Sequence, residues 1–262
     1  MMETKRELRL QALLQSVQKN GRLHLQQAAE FLKVSGMTIR RDLSQGPQPL
    51  LLLGGYIVLA RDHGPEHYFI TDQETQHIAE KQQIAQLAAA LIPTNETVFF
   101  DCGSTVPHII RALDDSLSFT ALTASMNSFL ALQQKKQCRM ILSGGEFQPD
   151  NGIFTPRLTD SPLNDFCPGL AFISAAGLDE VQGVTCFNHN ELAMKHFALQ
   201  RATRKVLVLD SSKFGKVRPA RIASLDHFDT LITDTPLPPA LAAQCEHDGL
   251  AVLTPEQLSA TE

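Results

Sequence analysis

The period of the apolar residues changes along this sequence, and that change constrains the fold more than any other feature. In the first 43 residues the period is helical. Leu10, Leu13, Leu14 and Val17 fall at i, i+3, i+4 and i+7, and Leu25, Ala28, Ala29 and Leu32 repeat the spacing. Each set is one stripe of an amphipathic helix. Ile39 and Leu43, four apart, mark a third helix. From about Glu74 short β-prone runs alternate with helical stripes instead. One layer of structure cannot satisfy both patterns, so a small helical head precedes a larger α/β body.

The details of the head point to a purpose. Asn20-Gly21 stops the first helix, because both residues tolerate the left-handed conformation of a C-terminal cap. Only Lys33-Val34-Ser35 separates the second stripe from the third, a connection as tight as that of a helix-turn-helix. Ser35 is placed to cap the third helix. With Ile39 and Leu43 turned inward, Met37, Thr38, Arg40 and Arg41 point outward or flank the edges. Guanidiniums beside a hydroxyl and a thioether suit a major groove, and the exposed amides at the helix start can meet a phosphate. Ser35, Met37, Thr38, Arg40 and Arg41 are therefore candidate DNA-contacting residues. The alternative is a three-helix module for protein contacts, with Arg40-Arg41 as a solvated pair. After Gln45-Gly46-Pro47-Gln48-Pro49, two apolar runs at residues 50–53 and 56–59 flank Gly54-Gly55, which reads as a hairpin. Behind a helix-turn-helix that hairpin is a wing, and its lack of alternation favours burial over groove contact.

Charge follows the same division. The net charge of −5 hides eight lysines and arginines against four acids in residues 1–60, and 15 against 24 in the remainder. A basic head on an acidic body is expected when the head alone meets an anionic polymer. The longest apolar stretch, residues 50–60, is 11 residues long and is broken by Gly54-Gly55. A membrane helix needs about 20, so no membrane partner is expected. The opening residues lack the apolar core of a signal peptide. The five cysteines show no C-x-x-C spacing, which argues against structural zinc and a disulfide framework. The expectation is a cytoplasmic, reduced protein.

In the body, a helix is expected over residues 76–91 and strands over 97–101, 119–123, 139–142, 170–174, 205–210 and 230–234. Further helices begin near Thr105 and at Met126. This alternation implies a largely parallel sheet, whose ligands bind beyond the carboxyl ends of the strands. Polar signals collect at those ends. The first strand runs into Asp101-Cys102-Gly103-Ser104-Thr105, with Pro107 suited to the first turn of the next helix. Glycine lets the backbone approach an anion, the hydroxyls donate, and free helix amides favour phosphate. Thr123-Ala124-Ser125-Met126-Asn127 repeats the design, and Gly144-Gly145 follows a third strand. Each could be an ordinary capped turn, but three at equivalent ends favour one shared pocket. Glu191 and Lys195, four apart on an expected helix, are charged residues suited to a sugar, the alternative being a surface ion pair. Asp210 ends a strand and Lys213 follows three residues later. His63 and His67 are separated by Gly64-Pro65 and read as linker residues, and Asp114-Asp115 reads as a solvated turn. There is no G-x-S-x-G elbow, Walker loop or H-E-x-x-H. No catalytic residue, metal or redox cofactor is implied.

The segment Val34-Ser35-Gly36-Met37-Thr38-Ile39-Arg40-Arg41-Asp42-Leu43 resembles the recognition segment of the DeoR family of bacterial repressors. Asp210-Ser211-Ser212-Lys213-Phe214-Gly215 resembles the signature of that family's sensors. Gly36 departs from the family, many of whose members carry a larger polar residue there. The resemblance reaches nearly the whole chain and implies an α/β protein: a small N-terminal winged helix-turn-helix domain plus a larger Rossmann-like sugar-phosphate-sensing domain related to sugar-phosphate isomerases. It implies a DNA-binding domain over 1–60, a linker over 61–75, and an effector-binding and oligomerisation domain over 76–262. Asp101, Gly103, Ser104 and Thr105 would cradle a phosphate. Ser125, Asn127, Glu191, Lys195, Asp210 and Lys213 would surround the sugar. The implied partners are operator DNA, a phosphorylated sugar and further copies of the chain in a homo-oligomer. Residues 53–59, 99–103, 144–147, 164–168, 185–188 and 213–221 agree best with the family members that govern deoxyribonucleoside catabolism, which implies deoxyribose 5-phosphate as effector. The competing reading is a sugar-phosphate isomerase-like enzyme carrying a basic module, with Glu191 as general base and Lys195 or Lys213 as its electrophilic partner.

Overall fold

Helix α1 (Lys5–Asn20), strand β1 (Leu23–His24), helices α2 (Leu25–Leu32) and α3 (Gly36–Ser44), and strands β2 (Leu50–Leu53) and β3 (Tyr56–Leu59) make up the head. The chain is described by a computed structural model over residues 5–20, 22–44, 50–53, 55–59, 73, 76–149, 151–156 and 161–256. It divides into two units, Met1–Asp72 and Gln73–Glu262. Of the expected linker 61–75 only Gln73 is among the described residues, and His63 and His67 lie outside them.

The three helical stripes close on one another. Leu13, Val17, Ala28, Ile39, Leu50 and Ile57 form the buried centre, with Leu14, Leu25, Ala29, Leu32 and Leu43 packed around it. Helix α2 stops because Lys33 turns left-handed at φ 52. Val34 N–H then reaches back to Ala29 O at 3.1 Å, which satisfies an orphan carbonyl of the last turn. The hairpin pairs Leu53 opposite Tyr56, with Gly55 at φ +81 in its two-residue turn. Burial of Leu50 and Ile57 places one side of it in the core, as the lack of alternation suggested. Strand β3 also pairs with β1, giving a three-stranded sheet in the order β1-β3-β2. Two residues are too few to show a period, and β1 was not legible in the sequence.

The second unit contains α4 (Ile78–Ala89), β4 (Glu96–Phe100), α5 (Val106–Ala112), β5 (Phe119–Thr123), α6 (Met126–Leu132) and β6 (Cys138–Leu142). Then follow β7 (Glu146–Gln148), β8 (Ile153–Thr155), β9 (Leu170–Ser174), β10 (Gly177–Asp179) and β11 (Gly183–Cys186). The chain continues through α7 (Leu192–Arg201), β12 (Arg204–Val208), β13 (Ala220–Ala223), β14 (Thr230–Ile232), α8 (Pro239–His247) and β15 (Ala251–Leu253). Seven strands form one parallel sheet in the order β15-β14-β12-β9-β4-β5-β6. The chain runs outward from β4 through β5 to the β6 edge, returns to β9 beside β4, and runs outward again through β12 and β14 to β15. This is the doubly wound arrangement, with its reversal between β4 and β9.

Alternate residues of each strand serve opposite faces. Phe99, Leu122, Ala171, Ile173, Leu207 and Leu231 pack with Met194 and Ala198 of α7 and Leu241 of α8. Val98, Phe100, Ala121, Leu170, Phe172, Val206 and Ile232 pack with Ile84 of α4 and Ile109 and Ile110 of α5. Strand β9 is buried along its whole length, as a central parallel strand should be. Two features went unread in the sequence: the antiparallel hairpin β7–β8 and the antiparallel sheet β10-β11-β13. Their strands are only three or four residues long, and β10 and β11 each begin on a glycine, too little for a two-residue period to emerge.

Candidate functional site

At the point of reversal the carboxyl ends of β4 and β9 lie side by side and bring Asp101 to Ser174. The Asp101 Oδ2 oxygen accepts from Ser174 N at 2.9 Å and from Ser174 Oγ at 2.6 Å. Lys195, on the first turns of α7, donates through Nζ to the same Oδ2 and to Ser174 O at 2.9 Å. Glu191 Oε2 stands 3.5 Å from that ammonium. Glu191 is 6% exposed and Lys195 0%. The alternative of a surface ion pair is set aside by this burial: α7 turns this face onto the sheet, and the pair is buried at its carboxyl edge. Glu191 Oε1 accepts from Asn188 Nδ2 at 3.0 Å and Asn151 Nδ2 at 3.2 Å, and the Cys102 thiol donates to Oε2 at 3.5 Å.

The two carboxylates decide the protonation of their neighbours. Burial by itself would lower the Lys195 ammonium, but Asp101 and Glu191 outweigh it and raise the group well above the usual lysine range. Burial likewise opposes ionisation of Asp101, yet the Lys195 charge and the Ser174 donors hold its carboxyl below the ordinary value. Burial, with Asp101 and Glu191 behind it, pushes the Cys102 thiol up, and burial pushes Cys186 up to about 12. Both cysteines are thus kept as thiols rather than nucleophilic thiolates.

The loop after β4 shows why glycine stands in it. A Cβ on Gly103 would lie 2.2 Å from both Cβ and Oγ of Ser174. Ser104 and Thr105 are buried beyond it, where α5 begins with Pro107 in its first turn. The Asp101 carboxylate is committed to Lys195 and Ser174 and has no proton to donate. The loop after β5 is tied to this one, with Ser128 Oγ donating to Asp101 O at 2.9 Å and Thr123 Oγ1 to Phe100 O at 2.8 Å. Ser125 caps α6 by accepting from Ser128 N at 3.2 Å, and Asn127 sits half-buried on the same first turn. After β6, Gly144 and Gly145 take φ +66 and +111, so the chain folds back into the hairpin. That hairpin docks on the loop after β5 through Met126 N to Gly152 O at 2.8 Å and Phe154 N to Ala124 O at 2.7 Å.

Further along the sheet, Asp210 follows β12. Its Oδ1 accepts from Ser212 N at 3.1 Å and from Ser212 Oγ, while the buried Oδ2 has no hydrogen-bond partner. Lys213 Nζ lies 3.9 Å from that Oδ2 and donates to Gln73 Oε1 at 3.0 Å. Burial lowers this lysine, against Asp210, with Lys216 and Arg218 adding to the shift. The structure thus brings Asp101, Glu191 and Lys195 into one cluster, with Gly103 against it, and sets Asp210 and Lys213 together as a second pair. Sequence reasoning missed Ser174, Asn188 and Asn151. Ser174 was findable, since it ends β9 much as Asp101 directly follows β4. Asn151 sits in the turn of the unread hairpin. The Asp114-Asp115 turn is less simply solvated than expected, because Asp115 Oδ1 pairs with Lys135 Nζ at 2.8 Å.

In the head, Ser35 Oγ accepts from Thr38 N at 3.2 Å and lies 2.9 Å from Thr38 Oγ1, the cap expected for α3. Met37 is 75% exposed, and Arg40 and Arg41 are exposed as well. The acid of this helix faces the other way: Asp42 is buried, with Arg9 Nε 2.6 Å from Oδ2 and Arg6 Nη2 donating to its backbone O at 3.0 Å. Opposed charges are thereby segregated, the carboxylate to α1 and the guanidiniums to the outer face. Beside β3, Arg22 lies over the Tyr56 ring at 4.8 Å. Among the described residues no helix is long and apolar enough to cross a membrane, and no group of three or more His, Cys, Asp or Glu is placed to hold a metal ion.

A helix-turn-helix head joined to a doubly wound sheet with a polar cluster at its switch point defines a class of transcriptional regulators with a built-in sensor. Residues 9–61 match the DeoR-like helix-turn-helix domain and residues 76–235 the DeoR C terminal sensor domain, so the chain belongs to the DeoR family. It is 50% identical over 233 residues to the deoxyribose operon repressor of Escherichia coli K12, an alignment covering 89% of this chain and 92% of that protein. It is 27% identical over 238 residues to the glycerol-3-phosphate regulon repressor of the same strain, covering 89% and 93%. Among solved structures it is similar to ribose 5-phosphate isomerase A from Neisseria gonorrhoeae, with a TM-score of 0.40 and 17% identity over 53% of this chain and 54% of that one.

Proposed function

We propose that the protein is a DNA-binding transcriptional repressor of deoxyribose and deoxyribonucleoside catabolism, released from its operator by deoxyribose 5-phosphate. The observation that carries this reading is the 50% identity with the deoxyribose operon repressor, which runs through both units over 89% of the chain. The geometry supports a division of labour. Arg40 and Arg41, with Ser35, Met37 and Thr38 beside them, meet operator DNA. Gly103, Ser104 and Thr105 receive the phosphate. Ser125, Asn127, Glu191, Asp210 and Lys213 surround the sugar, while Asp101 and Lys195 hold the site in shape. The protein acts in the cytoplasm as a homo-oligomer, so that paired heads read half-sites about one or more helical turns apart.

The site works by binding rather than turnover. The general base that turnover would need, Glu191, is committed to Asn188, Asn151 and the Lys195 ammonium. Incubation of the pure protein with ribose 5-phosphate and deoxyribose 5-phosphate tests this directly, and product formed at enzymatic rates would reverse it.

Calorimetric titration with deoxyribose 5-phosphate, free deoxyribose and ribose 5-phosphate tests the effector. The expected order places deoxyribose 5-phosphate first and free deoxyribose last. Two variants separate the sites. Arg41→Ala is expected to weaken operator binding by about 1–3 kcal/mol if it reads a base, or to lower the salt slope by about 1 if it holds a phosphate, with effector affinity unchanged. Ser104→Ala should do the reverse. Parallel losses of both activities in either variant would mean that the sites are wrongly assigned.

A further inference from the structure

We infer that Asn151 is a specificity-determining residue of the sensor site, whose side-chain carbonyl accepts a hydrogen bond from a hydroxyl group of a phosphorylated polyhydroxy ligand. This rests on the sugar-phosphate reading above and deepens it. Asn151 lies in the turn between β7 and β8, and it is 0% exposed. The hairpin that carries it is fixed at both sides of the turn, by Gly152 N to Gln148 O at 2.9 Å and by Met126 N to Gly152 O at 2.8 Å. It therefore spans from the loop after β5 to the cluster of Glu191 and Lys195.

The orientation of the amide follows from its neighbours. Asn151 Nδ2 lies 3.2 Å from Glu191 Oε1 and 3.0 Å from Asn190 Oδ1. Both partner atoms accept, so the amide nitrogen must face them and Oδ1 must face away. That Oδ1 is buried and has no hydrogen-bond partner. Buried acceptors in folded proteins are almost always paired, and each exception calls for an explanation. The carboxylate oxygen Asp210 Oδ2, also beyond the carboxyl ends of the sheet, is in the same condition. The third such atom among the described residues, Thr155 Oγ1, is a hydroxyl that can donate as well as accept, whereas the acceptors at Asn151 and Asp210 select for a ligand that brings donors. Phosphate oxygens and an aldehyde carbonyl only accept, and they would be repelled. Hydroxyl groups donate. The carboxyl edge thus offers hydroxyl donors at Ser104 and Thr105 suited to the phosphate and, at Asn151, a buried acceptor suited to the sugar, with Asp210 Oδ2 and Lys213 Nζ 3.9 Å from it further along the sheet.

The test compares the full-length protein with Asn151→Ala on two probes: deoxyribose 5-phosphate by calorimetry, and ethyl phosphate, which has no hydroxyl, by the thermal shift it produces. The variant is expected to bind deoxyribose 5-phosphate about 10- to 100-fold more weakly while its response to ethyl phosphate stays within twofold. Introducing Asn151→Ala into a Glu191→Ala background is expected to cost about tenfold again, because Asn151 reads a hydroxyl of its own. Absence of that second loss would mean that Asn151 merely positions Glu191, and the proposal would fall. Unchanged affinity in the single variant, or an equal loss on both probes, would also overturn it. Asn151→Ser keeps a polar group beside Glu191 and stands in if the alanine variant does not fold, with the same selective loss expected. If the unmodified protein ignores deoxyribose 5-phosphate, the sugar-phosphate reading itself fails and takes this inference with it.

Discussion

Lys195 and Asp101 lie 94 positions apart in the chain and are both buried, so each depends on the other for its charge. Removing one partner of such a pair leaves an uncompensated ion in a low-dielectric interior, a loss of about 3–5 kcal/mol. Lys195→Met is expected to destabilise the protein by that amount, and the double variant with Asp101→Asn to recover much of it, as read from urea unfolding. The pH dependence has a definite sign. Asp101 is depressed in the fold, so its contribution is present above the unfolded value of about 3.9 and disappears as pH falls through the folded one. Lys195 is raised, so its contribution is complete below about 10.4 and disappears as pH rises through its folded value. The pair's contribution is therefore flat across neutral pH, and Lys195→Met should flatten the acid limb of the stability profile. A variant with an unchanged acid limb would show that the pair is not the origin. This cluster was only half legible in the sequence. The spacing of Glu191 and Lys195 announces a pair on one side of a helix, but nothing in it says which side meets the sheet. Asp101 was visible as a strand end, whereas its partnership with Lys195 arises only once the doubly wound order sets β9 beside β4.

Long elements with a clear period were legible because burial on both faces of a central strand, or on one stripe of a helix, leaves a mark on many residues at once. Strands β5 and β9 have the bounds that their apolar runs suggested. The hairpin β7–β8 leaves no such mark, yet it carries Asn151 to Glu191. Its geometry is set by the glycine pair before it. Gly145 has φ +111, and a Cβ there would lie 2.1 Å from Thr155 O of β8. Gly144 has φ +66 with nothing within 4 Å of its Cβ position. Gly144→Ala should cost only the left-handed backbone term, about 1–2 kcal/mol. Gly145→Ala adds a clash with backbone and must displace the hairpin. We expect about a tenfold or greater loss of deoxyribose 5-phosphate affinity in Gly145→Ala, at least three times that in Gly144→Ala. Operator affinity measured without effector should be unchanged in both. Equal effects of the two substitutions on effector binding would show that the hairpin does not shape the site.

On the scale of the whole chain, the charge that sums to −5 belongs to two units with separate chemistry, a head with exposed arginines on α3 and an acidic body with its polar cluster at the sheet's edge. Repression that a metabolite relieves requires the two to be coupled, and coupling between binding equilibria is reciprocal by thermodynamic necessity. If deoxyribose 5-phosphate weakens operator binding by a given factor, then saturating operator must weaken deoxyribose 5-phosphate binding by the same factor. Typical coupling free energies of about 1–3 kcal/mol correspond to roughly 5- to 150-fold. The measurement is a pair of titrations at one salt concentration, effector into free protein and effector into the protein–operator complex, set beside operator titrations with and without effector. Salt must be held fixed, because DNA affinity falls steeply as ions compete for the phosphates that basic side chains neutralise. Equal factors well above one on both sides would show that effector and operator binding are coupled in this chain. An effector that binds free protein and complex alike could not act as an inducer, whatever its affinity, because a ligand with no preference between two states shifts neither.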